Sequence, residues 1–312
     1  MSPDVDPARF ATHVETVDGL EIASVREGVG GVPLVCVHGW PETKRIYWRV
    51  IEPLAAAGFE VIAPDLRGFG ESSVSPDGFH DTAACAADLY TLVHDVWGHE
   101  RVVLLGGDFG GPVIQHLALA HPEWVDRMVL FNSPLAYDKA RMADIPATRA
   151  PGVASDYFRR QGLEPDALAA ELTTPGERER YIATFYTSRF WAHPDAFDAD
   201  AVAFHTEPFG DAAHLRASFG PYESSFSADR RSGPVLGGHN PHTLTLILHG
   251  PSDHVMYPAF DLMAAVTFPR HVGPFQLRDC GHFVPWEAPH ALISGTVAFC
   301  SDLLAQSSRR LG

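Results

Sequence analysis

Val102-Val103-Leu104-Leu105-Gly106-Gly107-Asp108-Phe109-Gly110-Gly111 is the stretch whose reading decides the fold. Its unbroken apolar run predicts a strand buried on both faces, as in a parallel sheet. A helical pattern follows, from Phe109 to His121. Small residues two before and two after a reactive side chain, between strand and helix, mark a nucleophile elbow, a turn so sharp that only glycine-sized neighbours fit. Gly106 and Gly110 meet that requirement around Asp108. A helix N-terminus favours the ionised carboxylate, which is the form that attacks. The plain alternative is an Asp that only caps the helix, so the rest of the chain must decide.

Working outward, Leu34-Val35-Cys36-Val37, Val61-Ile62-Ala63, Met128-Val129-Leu130-Phe131 and Leu244-Thr245-Leu246-Ile247-Leu248 repeat the buried-strand pattern. Between them lie helical patterns, the clearest running from Asp81 as N-cap to Gly98 as stop. Strand and helix alternation predicts an α/β fold with a mostly parallel twisted sheet flanked by helices. Residues 14–29, with Asp18-Gly19 between two short runs, read as a hairpin leading into the sheet. From Pro134 to Gly238 the strand pattern stops, and Ala, Asp, Glu, Pro and aromatics take over at helical spacing. The expected division is a core at 1–133, an inserted helical cap at 134–238, and the rest of the core at 239–312. A last strand is expected near Phe275-Gln276-Leu277 and one closing helix over about 291–304.

Ligands of open parallel sheets bind at the carboxyl ends of strands. His38-Gly39-Trp40-Pro41, Asp65-Leu66-Arg67-Gly68-Phe69-Gly70 and His249-Gly250-Pro251-Ser252-Asp253 all follow apolar runs. The order nucleophile, acid, histidine suits such a fold. Of 17 histidines, His282 stands in a loop after the last expected strand, so it is the candidate base, with Asp253 to orient it. The backbone amides of Trp40 and Phe109 are placed to hold an oxyanion on Asp108. A turn-forming Asp is the plain alternative for Asp253.

With these motifs together the chain resembles the α/β-hydrolase family, and within it the epoxide-hydrolase branch. That branch carries Asp at the elbow, His-Gly-aromatic-Pro in the oxyanion loop and Asp-Leu-Arg-Gly-aromatic-Gly after the next strand, matched here by Asp108, His38 to Pro41 and Asp65 to Gly70. The resemblance implies hydrolysis of an epoxide to a diol through an ester on Asp108, with no metal or cofactor. It also implies two cap tyrosines that protonate the epoxide oxygen. Tyr157 and Tyr222 match their segments, and a phenol of pKa about 10 stays neutral yet donates near neutral pH. Trp40, Phe109, Phe158, Tyr186 and Trp191 are the expected substrate-lining aromatics, for a small apolar epoxide.

Two rivals need weighing. A haloalkane or haloacid dehalogenase uses the same Asp but must solvate a halide or hold a carboxylate, and the residues after the nucleophile, Phe109, Gly110, Gly111 and Pro112, offer no indole N–H and no arginine. A non-catalytic hydrolase-like binding protein has no use for Asp108, Asp253 and His282 together.

The 312 residues carry a formal charge of −16 with Lys44 and Lys139 the only lysines, which argues against nucleic acid as a partner. No apolar run reaches the roughly 18 to 20 residues of a membrane helix, and the acidic start lacks a secretory pattern. A cytoplasmic monomer or homodimer is the expectation. Cys36, Cys85, Cys280 and Cys300 are scattered and read as reduced packing thiols.

Overall fold

A computed structural model of the chain describes residues 3–145, 156–256 and 259–311. Eight strands form one sheet: β1 (Thr12–Val17), β2 (Leu20–Glu27), β3 (Val32–Val37), β4 (Phe59–Pro64), β5 (Val102–Gly107), β6 (Val125–Phe131), β7 (Leu244–His249) and β8 (His271–Gln276). Their order is β1-β2-β4-β3-β5-β6-β7-β8. The β1–β2 and β2–β4 pairs are antiparallel and every other pair is parallel. Asp18 and Gly19 both take positive φ, 48° and 86°, which closes the expected two-residue hairpin with the twist its strands need. Every residue of β4 and β5 is buried, as continuous apolar runs require when helices cover both faces.

Between β6 and β7 the described residues form helices and no strand, among them Asp156–Leu163, Pro165–Glu171, Pro175–Tyr186, Ala199–Thr206, Ala212–Ala217 and Gly220–Phe226. They make up the helical insertion over the carboxyl ends of the strands.

Three local expectations shift. The helix capped by Asp81 widens into a π-helical stretch over Thr91–Val96 before Gly98. The last strand starts earlier than its apolar residues, at His271, and contains Gly273 and Pro274. Proline cannot donate to a ladder and is tolerated here because β8 is an edge strand. The closing helix is two helices, Pro289–Phe299 and Ser301–Leu311, that meet at the buried Cys300. All four cysteines are free and buried.

Candidate active site

Asp108 sits between β5 and the helix Gly110–Ala120 with φ +41°, a strained backbone for any residue but glycine. The strain persists because the surroundings leave no alternative. A Cβ on Gly110 would lie 2.1 Å from the Val37 carbonyl oxygen, and one on Gly39 would lie 2.7 Å from Asp108 Oδ1. Strand, elbow and oxyanion loop can therefore close on one another only with glycine at these points.

The Trp40 amide donates to Asp108 Oδ1 at 2.7 Å. The Phe109 amide is the next in the chain and opens the helix. The other carboxylate oxygen, Oδ2, lies 3.2 Å from His282 Nε2, within ion-pair distance but without hydrogen-bond alignment. His282 Nδ1 lies 3.0 Å from Asp253 Oδ2, while Asp253 Oδ1 accepts from the amides of Val255 and Met256 at 2.7 and 3.2 Å. Burial alone pulls His282 towards neutrality. Asp253, then Asp108, outweigh it and hold the imidazole pKa well above 6.5. The structure thus brings together the three side chains read from separate loops as nucleophile, acid and base.

Above them stands a group of cap rings. Tyr157 lies parallel to Trp40 at 6.0 Å between centroids, Tyr222 meets Trp40 edge-on at 5.2 Å, and the two tyrosines are 6.0 Å apart. Phe158 packs on Tyr222 at 5.2 Å, and Trp191 meets the His282 ring edge-on at 4.7 Å. Burial, with Tyr157 and Asp108 nearby, holds the Tyr222 phenol neutral, well above its usual value of 10.0. No cluster suited to a metal ion occurs among the described residues.

The model for the alpha/beta hydrolase fold matches residues 32–289. The chain belongs to the α/β-hydrolase family. This hydrolase is 28% identical to the soluble epoxide hydrolase of Corynebacterium sp. strain C12, over 93% of this chain and 97% of that one. It is 32% identical to the 2-hydroxymuconate semialdehyde hydrolase of Pseudomonas sp. strain CF600, over 98% and 96% of the two chains. Among solved structures, the epoxide hydrolase CorEH has a TM-score of 0.76 at 23% identity, covering 94% of this chain and 99% of that one. Relatives of different reaction sit at similar distances, so the choice of chemistry rests on the site.

In this hydrolase one expected lining residue is displaced. Tyr186 does not join the rings around Trp40: its hydroxyl donates to the Pro41 carbonyl, and its ring stacks on Phe283 at 4.7 Å and on His205 at 5.2 Å. Phe185 takes that place, 4.7 Å from Trp40 and 5.4 Å from Tyr157. Successive helical residues project about 100° apart, so one residue of register decides which ring faces the site.

Two further acids, outside the expected site, brace the loops around Asp108 and His282. Glu42 Oε2 accepts from the Gly39 amide at 2.5 Å, and burial, then Asp108, raise its carboxyl to about 7. Glu287 accepts from the amides of Gly281 and Phe283, both at 2.8 Å, and so grips the chain on either side of His282. Their sequence signal is an acid directly after the His38-Gly39-Trp40-Pro41 motif and another five residues after His282. Asp65, which opens the Asp-Leu-Arg-Gly motif, is wholly buried and accepts from the Lys44 amide at 2.7 Å and from Lys44 Nζ at 2.5 Å. It anchors the segment after the oxyanion loop. No helix of the described residues is long and apolar enough to cross a membrane.

Proposed function

We propose that this hydrolase opens a small apolar epoxide to a vicinal diol through an ester on Asp108. The observation that carries the reading is the pair of phenols, Tyr157 and Tyr222, packed on Trp40, whose amide holds the Asp108 carboxylate. An epoxide needs a neutral acid where its oxygen departs, and a buried phenol supplies one.

The attacking atom follows from the contacts. Oδ1 is held by the Trp40 amide, so Oδ2 is the oxygen free to form the bond to carbon. As that bond forms, the epoxide C–O bond breaks and a tyrosine hydroxyl gives its proton to the leaving oxygen. The product is an ester whose carbonyl oxygen is Oδ1, already in the oxyanion site. Esterification also removes the Asp108 charge that helps to hold His282 protonated. The imidazole pKa then falls, its proton returns to the tyrosinate, and the neutral His282 takes a proton from water as that water adds to the carboxyl carbon, with Asp253 steadying the ring. Collapse of the tetrahedral adduct breaks the bond to the diol oxygen, which takes the proton of the adduct's hydroxyl, so the diol leaves and Asp108 returns as a carboxylate with His282 protonated again.

A dehalogenase is disfavoured by two features. Phe109 follows the nucleophile and has no side-chain N–H, and the Trp40 indole N–H is committed to Ser218 Oγ at 3.2 Å. The deciding experiment is a single turnover of styrene oxide in heavy-oxygen water with enzyme in excess. The reading expects unlabelled diol and label in the Asp108 peptide. Labelled diol with an unlabelled peptide would mean direct attack by water and end the ester mechanism.

A further inference from the structure

Asn132 follows directly after β6 and has no place in the chemistry just described, yet it touches the loops that carry all three catalytic side chains. Its carbonyl accepts from the Asp108 amide at 2.9 Å. Its Oδ1 accepts from the Gly250 amide at 3.0 Å, in the loop that leads to Asp253. Its Nδ2 donates to the Gly281 carbonyl at 2.7 Å and lies 3.3 Å from that of His282. The side chain is fully buried and its backbone takes φ +34°.

We propose that Asn132 is a positioning residue that sets the offset between the Asp253 loop and the His282 loop, and through it the alignment of His282 for water activation. An Asn at positive φ is ordinarily a turn residue that bonds its own neighbours. Here the side-chain partners lie 118 and 149 residues away in sequence. The two loops are also nearly in contact, since a Cβ on Gly250 would stand 2.0 Å from the Gly281 carbonyl oxygen and 3.0 Å from Asn132 Nδ2. One loop presents an N–H and the other presents a C=O. A carboxamide is the short side chain that answers both, because it carries an acceptor and donors in one plane. Asp253 turns off the Gly250 loop through its own amide, which donates to the Gly250 carbonyl at 3.0 Å. The 3.0 Å between Asp253 and His282 is thus measured across a gap that Asn132 spans.

The inference rests on the ester reading for its kinetic test, because alkylation needs Asp108 and the tyrosines whereas ester hydrolysis needs His282. Asn132→Gly keeps the backbone conformation and removes both side-chain bonds. Asn132→Asp keeps the size and the acceptor for Gly250 but lacks the amide donor, and it carries the test should the glycine variant not fold. Alkylation and ester decay are followed separately by tryptophan fluorescence on mixing with styrene oxide, and the low-field proton between His282 and Asp253 is followed by NMR without substrate. We expect ester decay to slow by about tenfold to a hundredfold, alkylation to stay near the wild-type rate, and the low-field resonance to move or vanish. Equal loss in both steps, or no change in either, with the resonance as in the wild type, overturns the proposal. If no epoxide alkylates the wild-type protein while the resonance still moves in the variants, the positioning role stands and the epoxide reading falls.

Discussion

The Trp40 amide holds Oδ1 of Asp108 at 2.7 Å, so the proposed oxyanion donor and the proposed nucleophile are joined before any substrate arrives. Donors aimed in advance at developing charge need not reorganise during the reaction. The same contact divides the two carboxylate oxygens between two tasks and leaves Oδ2 on the side of His282.

On the proposed ester mechanism, that division makes His282 dispensable for the first bond and necessary for the second. His282→Gln should form the ester at close to the normal rate and then stall, with ester hydrolysis slowed by about two to four orders of magnitude. Intact-protein mass spectrometry after adding styrene oxide should find an adduct of substrate mass, located on Asp108 by peptide mapping. Unmodified protein would contradict the two-step scheme.

The cap tyrosines should separate by function. Tyr222→Phe should slow alkylation while Tyr157 still donates, and the double Tyr157→Phe, Tyr222→Phe change should cost about two to four orders of magnitude in that step. Tyr186→Phe should behave differently. It leaves the buried Pro41 carbonyl without its donor, so urea unfolding should show a loss of about 1 to 3 kcal/mol, with alkylation largely preserved. Wild-type alkylation by Tyr222→Phe would remove it from the mechanism.

Glu42 gives stability a pH signature. Its carboxyl pKa rises from 4.5 to about 7 on folding, so the native state binds more protons than the unfolded chain across that window. Stability contributed by this group is present below about pH 4.5 and declines as pH rises towards 7. Glu42→Gln has no proton to lose, so its urea midpoint should fall less steeply than that of the wild type between these values. Parallel curves would show that Glu42 titrates normally.

Lys44 and Asp65 form a pair in which both side chains are almost fully buried. Lys44→Ala leaves the Asp65 charge in place with only part of its compensation, and removing one partner of such a pair costs about 3 to 5 kcal/mol. Denaturant unfolding should read that loss. A change under 1 kcal/mol would mean that the Lys44 and Glu71 amides suffice to hold Asp65.

By itself the sequence determined the alternation of buried strands and helices, the hairpin at Asp18-Gly19, the helical insertion, and the elbow with its acid and histidine candidates. These are legible because they depend on local period, on turn chemistry, and on the order of motifs along the chain. Only the tertiary structure decided that Phe185 rather than Tyr186 meets Trp40, that β8 tolerates Pro274 because no strand among the described residues pairs with its outer edge, and that the closing helix divides at Cys300. It also decided that Glu42, Glu287 and Asn132 hold the catalytic loops, through partners up to 149 residues away. Such contacts carry no periodic mark in the chain, since an acid or an amide braces a loop only where another segment happens to bring an unpaired N–H or C=O within reach of it.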